Sequence, residues 1–436
     1  MSVPASRDTE RHRGVLADTR PLRTPAFRRL WTANIITVIG AQLTVVAVPA
    51  QIYALTRSSA CVGLTGVFGL VPLVVFGLYG GALADVLDRR RLLVVTTTGL
   101  IASSAAFWLQ ALFSLGSVWL LLGIFAVQQA FFAVNQPTRT AVLPRILPLE
   151  QLPAANALNM TVMQFGAIAG PLVGGALIPV LGFSALYLVD TLSLFATLWA
   201  VIRLPKLPPL GAPSGTPGLR AVLDGFAYLR GHTVLLMSFV VDIIAMVFGL
   251  PRALFPQIAH QSFGGPTDGG LAFALLFAGI PAGAVLGGVL SGWVSGVRRQ
   301  GRAVVSAIMV WGVAMAGFGV AVALAPQATT AMLVVAVLAL MVGGAADMAS
   351  AAFRSSMLQS AAADDVRGRL QGVFIVVVVG GPRLADVLHG AAAAVIGPAL
   401  TAFLGGVLVL VLVTLAVVLA PAFWRYRVRP DAPVRP

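Results

Sequence analysis

Charged residues are scarce in this sequence. Of its 436 residues only 10% are Asp, Glu, Lys or Arg, whereas 58% are hydrophobic, and the mean hydropathy is +0.93. A soluble globular domain carries about 25% charged residues. The composition therefore excludes an ordinary soluble domain and indicates a chain that lies mostly in lipid.

Residues that build redox, metal and catalytic sites are scarce too. Cys61 is the only cysteine, which excludes an intramolecular disulfide and a cysteine-based metal site. The histidines are too scattered to suggest a metal cluster or a hydrolase triad: His12, His232, His260 and His389. No nucleotide-binding loop of the form G-x-x-x-x-G-K-[ST] occurs. We therefore expect no enzyme activity, no metal or cofactor, and no ATP hydrolysis within this chain.

Long apolar runs, by contrast, recur along the whole sequence. Each has about 20 residues, enough for a helix to cross roughly 30 Å of hydrocarbon. The runs lie at about 30–54, 60–82, 92–113, 117–136, 157–179, 183–203, 233–258, 270–296, 303–325, 329–350, 370–394 and 398–422. The first 25 residues are polar and Arg-rich, so we expect no cleavable signal peptide. The pattern predicts an all-α polytopic membrane protein with 12 transmembrane helices.

The basic residues indicate how these spans are oriented. A formal charge of +14 could suggest a nucleic-acid partner, but the basic residues follow the loops instead. With both termini inside, every Lys and Arg except Arg57, Arg252 and Arg383 falls in a cytoplasmic segment or at the cytoplasmic end of a span. This predicts a multi-pass bacterial inner-membrane protein with both termini cytoplasmic and no nucleic-acid partner.

A hydrophilic segment at 204–232 separates six spans from six. It begins with a Pro/Gly-rich run and continues into a stretch whose apolar residues share one helical face, which predicts an amphipathic surface helix. The predicted organisation is an N-terminal tail at 1–29, six-helix halves at 30–203 and 233–422, and a C-terminal tail at 423–436. Gly170-Pro171 in span five and Gly381-Pro382 in span eleven suggest that the halves are pseudo-symmetric repeats, an arrangement suited to alternating access.

The loop between spans two and three carries the run GGALADVLDRRRLL. This run resembles the signature of the major facilitator superfamily, and the matching positions are Gly81, Leu83, Asp85, Arg89 and Arg90. The resemblance implies the major facilitator fold and a contact that holds the cytoplasmic face closed. Val86 and Asp88 depart from the family pattern and leave the geometry of that contact open. The alternative role is an anchor of positive charge that fixes topology.

Span five contains the run GAIAGPLVGG, with small residues and a proline at Gly166, Gly170, Pro171, Gly174 and Gly175. Small residues at four-residue spacing permit close helix approach, and proline bends a helix. The pattern resembles the glycine motif of exporters in the superfamily. Ordinary helix packing is the alternative.

Five stretches resemble the branch of the superfamily that contains the enterobactin exporter: residues 46–64, GGALAD, LDGFAYLRG, AGIPAGAVLGG, and GRLQG with the later Asp386. That resemblance implies proton-driven export of a catecholate siderophore or a related metabolite. Some relatives in the branch export drugs, so a multidrug efflux transporter is the alternative, and a non-transporting receptor is a third hypothesis. The expected partners are a small organic substrate, protons and the lipid bilayer, and we expect a monomer.

Ionisable and polar side chains inside the spans are the candidates for a proton or substrate site, because a charge in hydrocarbon is costly unless it is paired or hydrated. They are Asp190, Asp242, Arg383, Asp386, His389, Gln42 and Gln128. Arg383, Asp386 and His389 follow at three-residue spacing, so we expect Arg383 to keep Asp386 ionised. The alternatives are a purely structural Arg–Asp pair there and, for Asp190, a packed hydrogen-bond partner.

Overall fold

The computed structural model describes residues 18–208, 227–361 and 364–427, with at most the backbone given for residues 78–82, 84–86, 295 and 359–379. All regular secondary structure in these ranges is helical. The α-helices are α1 (Pro25–Thr56), α2 (Ser59–Val86), α3 (Arg89–Leu112), α4 (Val118–Ile146), α5 (Leu152–Ile202), α6 (Thr233–Gly249), α7 (Phe255–Gln261), α8 (Leu271–Val289), α9 (Gln300–Leu324), α10 (Thr329–Ala361), α11 (Asp364–Ile396), α12 (Pro398–Leu419) and α13 (Pro421–Trp424).

These helices agree with the predicted twelve crossings. Ten helical stretches among the described residues are long and apolar enough to cross a membrane. One of them contains α5, which Gly182 interrupts with φ 73° and ψ 169°, a conformation that favours glycine, so α5 provides two crossings. Helix α11, 33 residues long, provides the remaining one. The fold prediction is therefore confirmed.

The seventh span differs from the single helix predicted at 233–258. Helix α6 stops at Gly249, a 3₁₀ turn follows at Arg252–Leu254, and α7 resumes at Phe255. Pro251 lacks a backbone N–H and disfavours a helical conformation at Leu250, whose φ is −113° and ψ is 87°. The break places Arg252 in a turn at membrane depth.

The two ends of the helix bundle can be told apart by their loops. We call the end with the α2–α3 loop, Arg203 and Tyr426 the terminal face, and the end with Arg57, Gly182 and Gly397 the distal face. Within the first six crossings α1 and α3 pack on α5, and α2 packs on α4. Within the last six, α9 packs on α10 and α12, and α6 packs on α11.

The linker between these two groups is described only at its ends. Leu204 and Leu207 are buried against Leu30, Leu93 and Val142. The start of the segment is therefore packed onto the first six crossings. The predicted surface helix lies mostly at 209–226, outside the described residues. The proposed boundaries of the halves stay a prediction.

Contacts between the two groups of crossings depend on glycine. A Cβ added to Gly63 of α2 would lie 2.6 Å from the Asp386 carbonyl oxygen of α11, and one added to Gly390 would lie 2.5 Å from the Ser59 carbonyl oxygen. Between α5 and α8, the Gly270 N–H donates to the Gly175 carbonyl oxygen at 2.7 Å. These close approaches all lie in the distal half of the molecule.

Candidate functional site: a polar cavity beneath an arginine-bearing roof

A cavity of about 280 Å³ lies between the two groups of crossings. Helix α4 contributes one continuous face, formed by Phe125, Gln128, Gln129, Phe132, Asn135, Gln136 and Arg139. This spacing follows the helical repeat, so the local sequence of α4 determines which side chains share the face. Helix α1 lies opposite and contributes Gln42 and Thr44, among others. The predicted cavity residues Gln42 and Gln128 both lie here.

Three charged residues of the last six crossings close the distal end of the cavity, and we call them the roof: Arg252, Arg383 and Asp386. The Arg252 guanidinium donates to the Asp386 carboxylate at 2.8 Å, and only 3% of the Asp386 side chain is exposed. The Arg383 guanidinium donates to the Gln129 side-chain oxygen at 3.1 Å and lies over the Phe125 ring at 5.2 Å. Arg383 thus joins the roof to α4.

The ion pair of Asp386 is formed with Arg252 and not with Arg383. Asp386 binds Arg252, whose position after the Pro251 break lets it reach α11, while Arg383 points to α4. His389 does not line the cavity; its Nε2 lies 3.0 Å from the Phe248 carbonyl oxygen of α6. Three-residue spacing placed these groups on one helix without determining where each side chain points.

Asp190, in the second part of α5, is a cavity residue and a hydrogen-bond partner at once. One carboxylate oxygen accepts bonds from the Thr44 hydroxyl at 2.7 Å and the Ser104 hydroxyl at 2.8 Å. The other oxygen is buried without a hydrogen-bond partner among the described residues. Both sequence interpretations of Asp190 are therefore compatible with its position.

Asp242 lies away from the cavity, in a separate charge cluster. Its carboxylate forms an ion pair with Arg354, and Asp347 lies 4.0 Å from the same guanidinium. Sequence reasoning assigned Arg354 to the cytoplasmic side of span ten, which was expected to end near residue 350. Helix α10 instead continues to Ala361, so Arg354 is held within it, and only 9% of its side chain is exposed.

Sequence reasoning also missed Arg139 as a cavity residue. A signal was present, since RTAVL at Arg139 in α4 and RSSML at Arg354 in α10 have the same pattern at corresponding places in the two repeats. No comparable local signal identifies Gln129 as the partner of Arg383, because the two residues are far apart in sequence.

The superfamily signature is only partly described. The surroundings of Gly81 and the side chain of Asp85 lie outside what is described, and Leu83 is exposed. Arg89 donates to the Ala141 carbonyl oxygen at 2.9 Å, and Arg90 donates to the Ile202 carbonyl oxygen at 2.5 Å. These bonds connect the first turn of α3 to α4 and to the end of α5, at the terminal face.

Asp88, which departs from the family pattern, has a clear structural role. One of its carboxylate oxygens caps α3 by accepting from the Arg91 N–H, and the other accepts from the Leu207 N–H, both at 3.0 Å. Asp88 therefore connects the signature loop to the start of the linker.

The span-five glycines serve two interfaces. Gly166 packs against Val38 and Gly170 against Gln42, both of α1, and Gly174 lies against Leu43. These three, with the buried Pro171, hold α5 on α1. Gly175 instead faces Ala274 of α8, where an added Cβ would lie 2.8 Å from the Ala274 Cα. The motif therefore positions the cavity-lining α1 and also joins the two groups of crossings.

Further polar contacts close the distal face above the roof. The Ser59 hydroxyl donates to the Gln257 side-chain oxygen at 2.5 Å. Arg57 lies 3.4 Å from the His260 ring nitrogen, and the Tyr53 ring packs edge-on against that imidazole. These pairs join α1 and α2 to α7 at the distal face.

Known proteins resemble this chain over nearly its whole length. The model of the family described as transmembrane secretion effectors, a family of major facilitators, matches residues 17–426. Enterobactin exporters EntS of Shigella boydii serotype 18 and Escherichia coli O81 are each 28% identical over 413 residues, which is 93% of this chain and 94% of theirs.

Solved transporter structures share the fold. A POT family transporter superposes with a TM-score of 0.71 at 11% identity, covering 92% of this chain and 96% of that one. A bacterial homologue of the iron transporter ferroportin, in an inward-facing state, superposes with a TM-score of 0.64 at 15% identity, covering 92% and 98%.

Proposed function

The chain belongs to the transmembrane secretion effector family of the major facilitator superfamily, and from this premise we propose that it is a proton-coupled exporter of a small organic molecule, working by alternating access. The observation that carries this proposal is the cavity between the two groups of crossings, whose apolar walls hold a few polar and ionisable side chains beneath the roof. Ionisable residues at membrane depth mark substrate and ion pathways.

The distribution of basic residues supports the orientation that export requires. Arg89, Arg90, Arg203 and Arg425 lie at the terminal face, which we assign to the cytoplasm of a bacterial inner membrane. The distal contacts then separate the cavity from the outside. In this arrangement the protein is closed outward, the state in which an exporter receives cargo from the cytoplasm.

Similarity to the EntS exporters supports a siderophore or a related metabolite as the cargo. The apolar part of the cavity lining, with Phe125, Phe132 and Met163, favours amphiphilic drugs as a second candidate. Both cargoes fit a cavity with apolar walls and a few polar groups.

We assign proton coupling to the Arg252–Asp386 pair. A proton on Asp386 would remove the charge that holds Arg252, and so weaken the roof that blocks the distal face. Because Asp386 lines the cavity and belongs to the roof, its protonation and the binding of cargo both act on the roof. The pair therefore offers a direct link between a proton and opening.

Transport in proteoliposomes tests the proposal. Purified protein in vesicles oriented for uptake should accumulate enterobactin above its external concentration when a pH gradient is imposed, and lose that accumulation when a protonophore is added. A drug panel assayed in parallel separates the two cargo candidates. Absence of uphill movement of every compound, in protein that remains folded, would contradict the proposed function.

A further inference from the structure

We propose that the cavity binds an organic anion, which contacts Arg139 nearer the terminal face and Arg383 at the roof. This inference rests on the proposed function, because it specifies the chemical class of the exported cargo. It is carried by the balance of charge inside the cavity and by a comparison between the two repeats.

The described lining of the cavity contains more arginines than aspartates. Among the described residues, three arginines line it, Arg139, Arg252 and Arg383, against two aspartates, Asp190 and Asp386. Arg252 and Asp386 neutralise each other as an ion pair. Arg383 has only a neutral hydrogen-bond partner, the Gln129 amide, and Arg139 has neither a hydrogen-bond nor an ion-pair partner among the described residues.

Asp190 does not remove this excess. Its described hydrogen bonds come from the hydroxyl groups of Thr44 and Ser104, and no described ion pair joins it to an arginine. The described lining therefore carries a surplus of one positive charge when Asp190 is ionised, three against two, and a larger one when it is protonated. Either state favours an anionic guest.

The second repeat provides an internal comparison. Arg354, in the α10 segment that matches the Arg139 segment of α4, is satisfied by Asp242 and lies near Asp347. That site lies outside the cavity. Arg354, outside the cavity, thus has carboxylate partners, whereas Arg139, on the cavity face, has none among the described residues. This difference is expected if the cargo supplies the anion that Arg139 lacks.

The geometry favours an anion with an extended apolar body. Gln129, the partner of Arg383, and Arg139 are ten residues apart on α4, about 15 Å along the helix axis. Phe132, Asn135 and Gln136 lie between them on the cavity face. Guanidinium groups bind carboxylates and other planar anions through paired hydrogen bonds, so each arginine can receive the charged end of a cargo that lies along this face.

The sign of the electrostatic potential in the cavity can be measured without knowing the cargo. Replacing Cys61, the only cysteine, by serine gives a background into which Gln136→Cys places one thiol on the cavity face. We would compare the rates at which this thiol is modified by the anionic methanethiosulfonate MTSES and by the cationic MTSET. Each rate is divided by the rate at which the same reagent modifies a small thiol free in solution. We expect the normalised ratio to favour MTSES by about fivefold, because a local positive potential concentrates anions.

Substitutions test whether Arg139 and Arg383 cause the preference for MTSES over MTSET. Arg139→Gln and Arg383→Gln should each lower the ratio at least twofold, and Arg139→Lys should retain it. Arg145→Gln is the matched control on the same helix, since Arg145 lies outside the cavity and donates to the Pro208 carbonyl oxygen. Arg139→Lys keeps the test usable if Arg139→Gln fails to fold.

A protection experiment then tests the guest itself. 2-Naphthoate should slow modification of the introduced thiol more than 2-naphthamide, which has the same body without the charge. A ratio that favours MTSET, a ratio unchanged in both Gln variants, or protection by the acid no greater than by the amide would overturn the inference. None of these measurements depends on export, so failure of enterobactin transport alone would count against the proposed function and leave this inference standing.

Discussion

At the residue scale, buried charge in this protein is stabilised in three ways. Asp386 is paired with Arg252, Asp190 accepts bonds from two hydroxyl groups, and Asp242 shares Arg354 with Asp347. An isolated ion at membrane depth costs several kcal/mol, and each of these arrangements offsets part of that cost. Three basic residues lie away from the terminal face: Arg57 lies at the distal face, and Arg252 and Arg383 lie in the roof.

Asp386→Asn should abolish gradient-driven accumulation and leave downhill exchange at least partly intact. The amide keeps the shape of the side chain but can neither carry the proton nor hold Arg252 by charge. Accumulation and exchange would be measured in the same proteoliposomes, with His389→Gln as a neighbour that does not line the cavity. Full uphill transport by Asp386→Asn would remove this residue from coupling, and loss of folded protein would support a purely structural pair.

Asp242→Asn should destabilise the protein by about 3 kcal/mol, because it leaves the buried Arg354 without its main partner. The double variant Asp242→Asn with Arg354→Gln should recover much of that loss, since it removes both charges. Thermal unfolding in detergent measures the difference. Equal stability of the single variant and the unsubstituted protein would show that Asp347 alone satisfies Arg354.

At the scale of helices, the two groups of crossings meet through glycines that leave no room for a side chain. The α2–α11 and α5–α8 contacts bring backbone atoms together, and one of them includes the direct hydrogen bond between Gly270 and Gly175. Surfaces of this kind fit closely in one arrangement and lose most of their contact when they separate. They suit an interface that forms and breaks during alternating access.

Gly175→Ala should weaken the distal closure and slow transport about tenfold while the protein still folds. The added methyl group would meet the Ala274 backbone, so α5 and α8 have to move apart. Gly123→Ala is the matched control, because nothing lies within 4 Å of a Cβ at that position. Labelling of a single cysteine introduced at the distal face should increase in Gly175→Ala and stay unchanged in Gly123→Ala. Equal labelling and equal transport in the two variants would contradict a gating role for this contact.

At the scale of the whole molecule, the twelve crossings form a transporter whose cavity is lined chiefly by the first six crossings and capped by residues of the last six. Most of the described cavity lining therefore belongs to one group and the roof to the other. A relative movement of the groups changes the roof and the cavity together, which is the physical requirement of alternating access.

The topology gives a prediction at this scale. A reporter inserted near Gly215, or fused after Arg435, should be cytoplasmic, because the basic residues around both segments oppose translocation. Paired alkaline phosphatase and fluorescent protein fusions distinguish the two sides of the membrane. Phosphatase activity at either position would contradict the even number of crossings on each side of the linker.

The single helix predicted at 233–258 did not include the break at Pro251. The sequence by itself determined the number of crossings, the separation of the fifth and sixth spans near Gly182, and the end of the bundle where most basic residues lie. These features depend on hydropathy, backbone restriction and charge within one short segment. Which aspartate meets which arginine was decided only by tertiary structure. Arg252 and Asp386 are 134 residues apart, and Gln129 and Arg383 are 254 apart. Residue spacing places such groups on a helix, but their partners depend on the rotation and depth of every neighbouring helix, which are set by the packing of the bundle as a whole.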